Sequence, residues 1–241
     1  MRPIWLCMTV LVTAPAPLSG QAVDPRLEEA VRWYTGVAGR VDNARAKALL
    51  LEAAADRDPI SRMWIARVYS RGRMDFERNE ERARTIAREV IDRIEALAAA
   101  RVPEAVFLMG TAYHEGLGKT ESVETAVAWY RRAADFGHGL AQHNLGNIYF
   151  EGRGVAQNDS HAVHWWTLAA EEGDAIPQLR LGIMYEEGRG VERDLETARR
   201  WYERAAARGN AEAHAALQRL GRRVSDMNPR PLWLGRTVVH R

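Results

Sequence analysis

The chain has 241 residues, of which 46% are hydrophobic and 27% are charged. These proportions are ordinary for a soluble globular protein, and they exclude a collagen-like, disordered or polytopic membrane chain. The 34 basic and 32 acidic residues give a formal net charge of +2. Nucleic-acid-binding proteins usually carry a strongly basic face, so the overall charge gives no indication of a nucleic-acid partner.

The N-terminal segment 1–22 has the layout of a secretory signal peptide. Arg2 precedes a short apolar run over residues 4–12, and small residues lead up to Ala22. The run is far shorter than the ~20 residues that span a bilayer as a helix, and this layout is typical of an export signal. We predict cleavage after Ala22 and a periplasmic or secreted mature chain, with a retained anchor as the alternative. The single cysteine, Cys7, would be removed with the signal, so the mature chain would have no disulfide.

Three consecutive segments superpose without a gap at a shift of 36 residues. Residues 105–113, 141–149 and 177–185 share the pattern of a leucine or methionine, a glycine and a tyrosine at fixed positions. After each segment, a Gly-x-Gly pair, an aromatic pair and a double alanine recur at the same spacing. A fixed period of this length is the signature of an α-helical repeat architecture.

Weaker copies of the unit lie on both sides of these three. Upstream, residues 61–72 match a first helix and 80–100 a longer second helix, and 27–34 with 43–55 form a further pair. Downstream, 213–220 begin a first helix that would cap the last hydrophobic face, as terminal repeats must. The predicted organisation is a signal (1–22), a solenoid (23–220, with repeats 26–60, 61–104, 105–140, 141–176 and 177–212 and a cap 213–220) and a basic tail (221–241).

Each unit is predicted to form a helix, a turn and a second helix. Ala105, Met109 and Tyr113 share one face at helical periodicity, and the Gly-x-Gly pair then breaks the helix because glycine adopts positive φ without strain. In the second helix the aromatic pair and the double alanine share another face. We therefore predict an all-α fold in which Trp165 and Trp201 are buried between helices.

These residues resemble the Sel-1-like repeat, a branch of the tetratricopeptide-like α-helical repeats. The pattern is Leu-Gly-x2-Tyr, Gly-x-Gly-Val, Trp-Tyr and Ala-Ala; it fits best in 141–212, well over 105–220 and loosely over 26–104. The resemblance implies a right-handed α/α superhelical solenoid of about five helix-turn-helix repeats with a terminal capping helix. It also implies a role as an adaptor or scaffold, often in bacterial envelope assemblies, but it fixes no reaction and no partner.

Positions that vary between repeats mark a candidate binding surface, on the premise that constant positions carry the packing. The third, fourth and seventh positions of each first helix lie away from its Ala/Leu/Tyr face, and the resemblance implies that first helices line a concave groove. Trp and Arg are over-represented at binding hot spots. The candidate groove residues are Trp64, Arg67, Arg71, Phe107, Thr111, Asn144, Asn147 and Arg180. The alternative is that Trp64 and Phe107 only fill gaps between irregular repeats.

Neither a metal site nor a catalytic centre is predicted. His161 and His164 are neighbours on a helix, but no acidic or cysteine ligand pattern and no His-Glu-x-x-His accompany them, so an outer solvated surface is the favoured interpretation. The sequence has no Gly-x-Ser-x-Gly and no glycine-rich phosphate loop, the motifs of nucleophilic and phosphate chemistry. We predict no cofactor and no enzymatic activity.

The segment 221–241 differs in composition from the repeats. It contains five arginines, a single acidic residue, Asp226, and the apolar sequence Leu-Trp-Leu. Three alternatives stay open: a disordered tail, a tail that folds back over the last helix, and a segment that docks on a partner or an anionic surface.

The leading functional hypothesis is an exported, non-enzymatic adaptor that presents a concave helical groove to a protein or peptide in the cell envelope, without nucleic acid and without a membrane span after cleavage. Two other classes stay open. One is a cell-envelope enzyme, and the other is a negative regulator of a membrane sensor that acts through the same repeats.

Overall fold

The computed structural model describes residues 23–227, with side chains as far as Gly221, and this part of the chain contains α-helices and no strand. The predicted all-α solenoid is confirmed. Within residues 23–227, eleven helices follow in chain order: α1 Pro25–Thr35, α2 Asn43–Ala55, α3 Pro59–Arg71, α4 Glu80–Ala99, α5 Pro103–Glu115, α6 Val123–Asp135, α7 Gly139–Glu151, α8 Asp159–Glu171, α9 Ala175–Glu187, α10 Leu195–Ala207 and α11 Ala211–Met227. The predicted signal 1–22 lies outside the described residues.

The first ten helices pack as five successive helical hairpins, and the second helix of each hairpin contacts the first helix of the next. As predicted, the second helix of hairpin two is longer than the others. Helix α4 has 20 residues, whereas α2, α6, α8 and α10 have 13 each, and the difference is about two helical turns. Within residues 23–227, no helix combines the length and the hydrophobicity that a bilayer span requires.

The end of the solenoid differs from the predicted boundary. The cap was expected to end at residue 220 and the tail to begin at 221, but α11 continues to Met227. Residues 221–227 therefore extend the capping helix, and residues 228–241 of the predicted tail lie outside the described residues.

Polar side chains cap the N-termini of the second helices. The Asp194 carboxylate accepts hydrogen bonds from two backbone N–H groups of the first turn of α10, at 2.9 and 3.1 Å. In α8 the cap is Asn158, and Asp159 is the first residue of the helix. The Asp159 carboxylate instead pairs with Arg189 of the next repeat at 3.1 Å. Capping oxygens of this kind satisfy backbone donors that have no partner within the helix.

Glycines inside the first helices allow an aromatic ring of the second helix to lie against the helix backbone. A Cβ placed on any of these glycines would come closer than 3.0 Å to the facing ring, a distance that real Cβ atoms essentially never show. The pairs are Gly110 with Tyr130, Gly146 with Trp166 and Gly182 with Tyr202. The three rings are completely buried, so they form the repeated core contact of the solenoid.

The first member of each aromatic pair is less buried than the second. Trp165 and Trp201 were expected to be buried between helices, but both are only half-buried. They lie one residue, or about 100° of helix rotation, before the buried rings of Trp166 and Tyr202. Arg204 covers the outer face of Trp201, with its guanidinium 4.5 Å from the ring centroid.

The loop between α1 and α2 reaches the far end of the solenoid. The Val41 N–H donates to the carbonyl of Arg208 at 3.1 Å. In return, Nη1 of Arg208 donates to the carbonyls of Gly36 at 2.8 Å and Val37 at 3.3 Å. We call these contacts between residues 36–41 and Arg208 the clasp. The solenoid therefore curls until its first hairpin touches its fifth, and the first helices face an enclosed centre.

Candidate functional site

Four of the eight predicted groove residues lie inside the protein. Trp64 and Phe107 are completely buried, Thr111 is 1% exposed and Arg67 is 4% exposed. Helix α3 contacts both α4 and α5, so the concave side is closed at this end of the solenoid. The prediction that these four side chains face an open groove is wrong, and the alternative that Trp64 and Phe107 fill space between irregular repeats agrees with their burial.

The other four predicted residues remain accessible. Asn144 and Asn147 on α7 are half-buried, and Arg71 and Arg180 are exposed. One position of the first helix is occupied in successive repeats by Trp64, Leu108, Asn144 and Arg180. Their side chains pass from buried, through half-buried, to exposed along the chain. The inner face therefore opens gradually from the N-terminal repeats towards the C-terminal ones.

At the seventh position of the first helices α5 and α7, a polar side chain accepts a hydrogen bond from the buried aromatic residue of the second helix. The identity of the residue at this position therefore depends on that aromatic residue. The Tyr130 hydroxyl donates to Thr111 Oγ1 at 3.4 Å, and Trp166 Nε1 donates to Asn147 Oδ1 at 3.2 Å. Buried Tyr and Trp side chains usually require such a partner for their polar atoms. A position that varies between repeats is therefore not free of packing duties.

A polar network surrounds the buried aromatic residues of α3 and α5. Trp64 Nε1 donates to Glu104 at 2.6 Å, and the other Glu104 oxygen lies 3.0 Å from His138 Nε2. The His138 ring stacks on Phe107 at a centroid distance of 4.4 Å. Burial acts to raise the pKa of Glu104, but the interaction with His138, the hydrogen bond from Trp64 and the charge of Arg67 together outweigh it and leave the pKa lowered. Glu104 is therefore held as a carboxylate beside buried rings.

Arg67 lies within the same buried cluster. Its guanidinium is 4.5 Å from the Trp64 ring centroid and 5.3 Å from that of Phe107, within the range of cation–π contacts. Its Nε and Nη1 atoms are buried and have no hydrogen-bond partner among the described residues. Burial, together with the positive charge of Arg73, lowers the pKa of Arg67 from its ordinary value.

A cavity of about 340 Å³ lies inside the curl of the solenoid, within the lower range of small-molecule sites. First helices of four hairpins and the loop of the clasp contribute to its wall. The lining residues are Tyr34, Thr35, Val41, Asn43, Arg67, Arg73, Leu140, His143, Asn144, Asn147, Asp174 and Ile176. We call it the central cavity. Three predicted groove residues, Arg67, Asn144 and Asn147, therefore share one site, whereas Arg71 lines a separate surface pocket.

The other charged residues of the central cavity are already paired. Arg73 Nη2 lies 2.7 Å from Glu115, and its Nη1 donates to the Arg67 carbonyl at 2.8 Å. His143 Nδ1 lies 2.8 Å from the Asp174 carboxylate. Burial acts to raise the pKa of Glu115, but the charge and hydrogen bond of Arg73, the charge of Arg67 and a hydrogen bond from Ser70 together outweigh it and leave the pKa lowered. Among the described residues, no carboxylate contacts Arg67 directly, in contrast to Arg73.

The histidine pair on α8 lies on the outer surface, as predicted. His161 and His164 are exposed, and they contact the rings of Tyr149 and Trp165 edge-on at 5.0 and 5.1 Å. Within the described part of the chain, no three His, Cys, Asp or Glu side chains group closely enough to hold a metal ion.

Sequence reasoning missed several members of the central cavity. Asn43 and Val41 enter it because the clasp brings the first hairpin against the fifth, and no local pattern encodes that contact. His143 stood at a varying third position, and its pairing with Asp174 could have been suspected because Asp174 precedes the next first helix.

Comparison with known proteins agrees with this geometry. Residues 103–138, 139–174 and 178–210 match the family model described as Sel1 repeat, and these segments hold the helices α5 to α10. This chain is a Sel1-like repeat protein. The two hairpins before residue 103 lie outside the matched segments but continue the same helical packing.

Two solved Sel1-type structures are similar to this Sel1-like repeat protein. A Sel1 repeat protein from Oxalobacter formigenes is 34% identical, and the match covers 74% of this chain and 50% of that chain with a TM-score of 0.50. The protein c5321, a protective antigen present in uropathogenic Escherichia coli strains, displays an SLR fold and is 28% identical; the match covers 81% of this chain and 40% of that chain with a TM-score of 0.54. This chain thus spans half of their length or less. The comparison with curated proteins finds no match.

Proposed function

We propose that this chain is an exported, non-catalytic scaffold of the cell envelope that binds a protein or peptide partner along its inner face. Sel1 repeat proteins generally mediate protein–protein interactions as scaffolds, and the family is mostly non-catalytic. The signal-like pattern of residues 1–22 supports export, because a charged start followed by a short apolar run is what the export machinery recognises.

The observation that carries the proposal is the opening of the inner face along the chain. The equivalent side chains are buried at Trp64, half-buried at Asn144 and exposed at Arg180. A partner that lies along α7 and α9 would meet amide groups at one end and an arginine at the other. Arginine is enriched at the energetic centres of protein interfaces.

Site-specific crosslinking in cells tests this proposal. The tagged full chain is expressed in a Gram-negative host with a photo-crosslinking amino acid in place of Arg180, on the inner face. A matched chain carries it in place of His164, which is equally exposed on the outer face. We expect the inner position to capture a protein partner and the outer position to capture none. Capture at the outer position alone would contradict the inner-face model.

Export is tested separately on the same material. We expect the protein in the periplasmic or secreted fraction, with Val23 as its first residue. An intact N-terminus in a cytoplasmic pool would contradict the export component, and turnover of a cell-wall substrate by the purified protein would replace the scaffold with an enzyme.

A further inference from the structure

Arg67 is a buried cation whose side chain is only partly satisfied by the protein. It is 4% exposed, and its buried Nε and Nη1 atoms find no acceptor among the described residues. A guanidinium has five N–H donors and no acceptor, and leaving buried donors unpaired is costly. Stacking on Trp64 and Phe107 fixes the position of the group but accepts no hydrogen bond in the guanidinium plane.

The neighbouring ion pairs determine which charged group of the cavity wall is available to a ligand. Arg73 is matched by Glu115 at 2.7 Å, and His143 is paired with Asp174 at 2.8 Å. Glu104 is engaged by Trp64 and His138. Among the described residues, no carboxylate contacts Arg67 directly, although Glu104 and Glu115 interact with it electrostatically. One guanidinium is therefore available to pair with one carboxylate of a ligand, whereas a buried dianion would carry a larger desolvation penalty.

The rest of the cavity wall supplies complementary groups. Leu140 and the exposed Val41 and Ile176 provide apolar surface. The volume of about 340 Å³ suits a single amino-acid residue better than an extended peptide.

We propose that the central cavity binds the α-carboxylate of an apolar amino-acid residue, with the carboxylate on Arg67 and its side chain between Val41, Leu140 and Ile176. Either a free amino acid or the C-terminal residue of a peptide presents these groups. The site goes beyond the scaffold proposed above and does not require it, because a free amino acid has the same carboxylate and side chain.

Thermal unfolding of the purified full chain tests this site with defined probes. N-acetylleucine should raise the melting temperature by about 5–10 °C at a hundredfold excess over its Kd. N-acetylleucinamide has the same shape without the charge, and inorganic phosphate has charge without the apolar part, so neither should raise it. Equal shifts with acid and amide, or no shift with either leucine derivative, would overturn the proposal.

Two further probes identify the source of the carboxylate. Free leucine is compared with the tripeptide Ala-Ala-Leu, and the tripeptide is tested with a free and with an amidated C-terminus. Binding of leucine alone supports a free amino-acid ligand, and binding of the free-acid tripeptide alone supports a peptide C-terminus. Binding of the amidated tripeptide as tightly as the free acid contradicts the role of Arg67.

Variants of two arginines on α3 separate binding from folding. Arg67→Met should abolish the ligand-induced shift and leave the ligand-free melting temperature equal or higher, because a buried cation with unpaired donors is replaced by an apolar side chain. Arg71→Met, on the exposed end of the same helix, should keep the full shift. Unchanged ligand affinity in Arg67→Met would refute the site.

Asn144→Leu provides a second test if Arg67→Met does not fold. Asn144 is half-buried at the cavity wall and lies outside the Trp64 cluster, so a leucine there should narrow the cavity and weaken N-acetylleucine binding at least tenfold without loss of folding. Unchanged affinity would contradict the site. Loss of carboxylate binding with intact crosslinking at Arg180 would leave the scaffold proposal standing, and the reverse result would remove only the scaffold.

Discussion

The two N-terminal hairpins and the three regular repeats use the same helical architecture for different purposes. In the regular repeats, residues 103–210, spacing and helix length are constant. In the N-terminal region α4 is longer and the motif is degraded. Yet this irregular region supplies Trp64 and Arg67 to the closed centre, and its first loop forms one half of the clasp. The irregular hairpins therefore supply the features that distinguish this solenoid from a regular array of repeats, namely the buried Trp64 and Arg67 and one half of the clasp.

Variation inside the regular repeats has a different meaning, because it is compensated by a partner. The residue after the conserved tyrosine of each first helix contacts the buried ring of the second helix. These contacts are His114 Nδ1 with the Tyr130 hydroxyl at 3.3 Å, Phe150 with Trp166 at a ring distance of 5.3 Å, and the Tyr202 hydroxyl with Glu186 at 2.8 Å. The hydroxyls of Tyr130 and Tyr202 each contact a polar side chain, and the indole of Trp166 contacts the phenyl ring of Phe150. The residue after the conserved tyrosine therefore varies together with the buried ring that it contacts.

The largest expected effect is the loss of a buried ring in the regular region. Trp166→Ala should lower the free energy of unfolding by about 3–5 kcal/mol, the range for deleting a large aromatic side chain from a core. Trp165→Ala is the matched control, and its cost should be roughly half, because that ring is already partly exposed. Chemical denaturation followed by far-UV circular dichroism measures both. Equal costs would show that the two positions of the aromatic pair are equivalent.

These two tryptophans also show where sequence reasoning succeeds and where it stops. Helical periodicity and the Gly-x-Gly turns were sufficient to locate the hairpins, because both are local properties of the chain. Periodicity could not decide whether Trp165 or Trp166 faces inwards, since adjacent residues differ by about 100°. The close approach of Trp166 to Gly146 decides it, and that contact joins two helices.

The central cavity is even harder to predict from local sequence patterns. Arg67 was recognised as a candidate, but it was expected on an open groove. Its burial depends on the curvature of the whole solenoid, and the clasp joins residues 171 positions apart in the chain. Curvature accumulates from small rotations at every repeat interface, so a motif shared by all repeats cannot specify where the ends meet.

The second effect concerns the pH dependence of the free energy of unfolding, and it involves His114 in the first regular repeat. Burial lowers the pKa of His114 from 6.5 to about 4, so the unfolded chain binds a proton between these values and the folded chain does not. Stability is therefore complete above about pH 6.5 and falls as the pH drops towards 4, by ~3 kcal/mol in total. His114→Gln should flatten the profile of unfolding free energy against pH in this window.

The exposed His161 is the control for that experiment. His161→Gln makes the same substitution at an exposed position of α8 and measures the effect of the His-to-Gln change itself. Glu104 and Glu115, whose pKa values are lowered, add their own loss of stability only at more acidic pH. A wild-type profile that is flat down to pH 4.5 would show that His114 is not held in its neutral form.

The third effect tests the link between the two regions. Arg208→Ala removes two hydrogen bonds from a charged donor to the carbonyls of Gly36 and Val37, and should cost about 2 kcal/mol. The loss should be local, because the clasp joins only the ends of the solenoid. Hydrogen exchange at the Val41 amide should therefore accelerate far more than exchange in α5 to α8. Arg204→Ala, on the exposed side of α10, should leave the Val41 amide protected.

The smallest effect is expected where two regular repeats meet at the surface. Arg189 pairs with Asp159 at 3.1 Å, and both side chains are partly exposed. Exposed ion pairs contribute about 0–1 kcal/mol, since solvent screens the attraction and two side chains lose freedom. A double-mutant cycle of Arg189→Ala and Asp159→Ala should give a coupling energy in that range that shrinks further in 1 M salt. A coupling well above 1 kcal/mol would mean that charge at repeat boundaries, as well as the buried aromatic ladder, holds the regular region together.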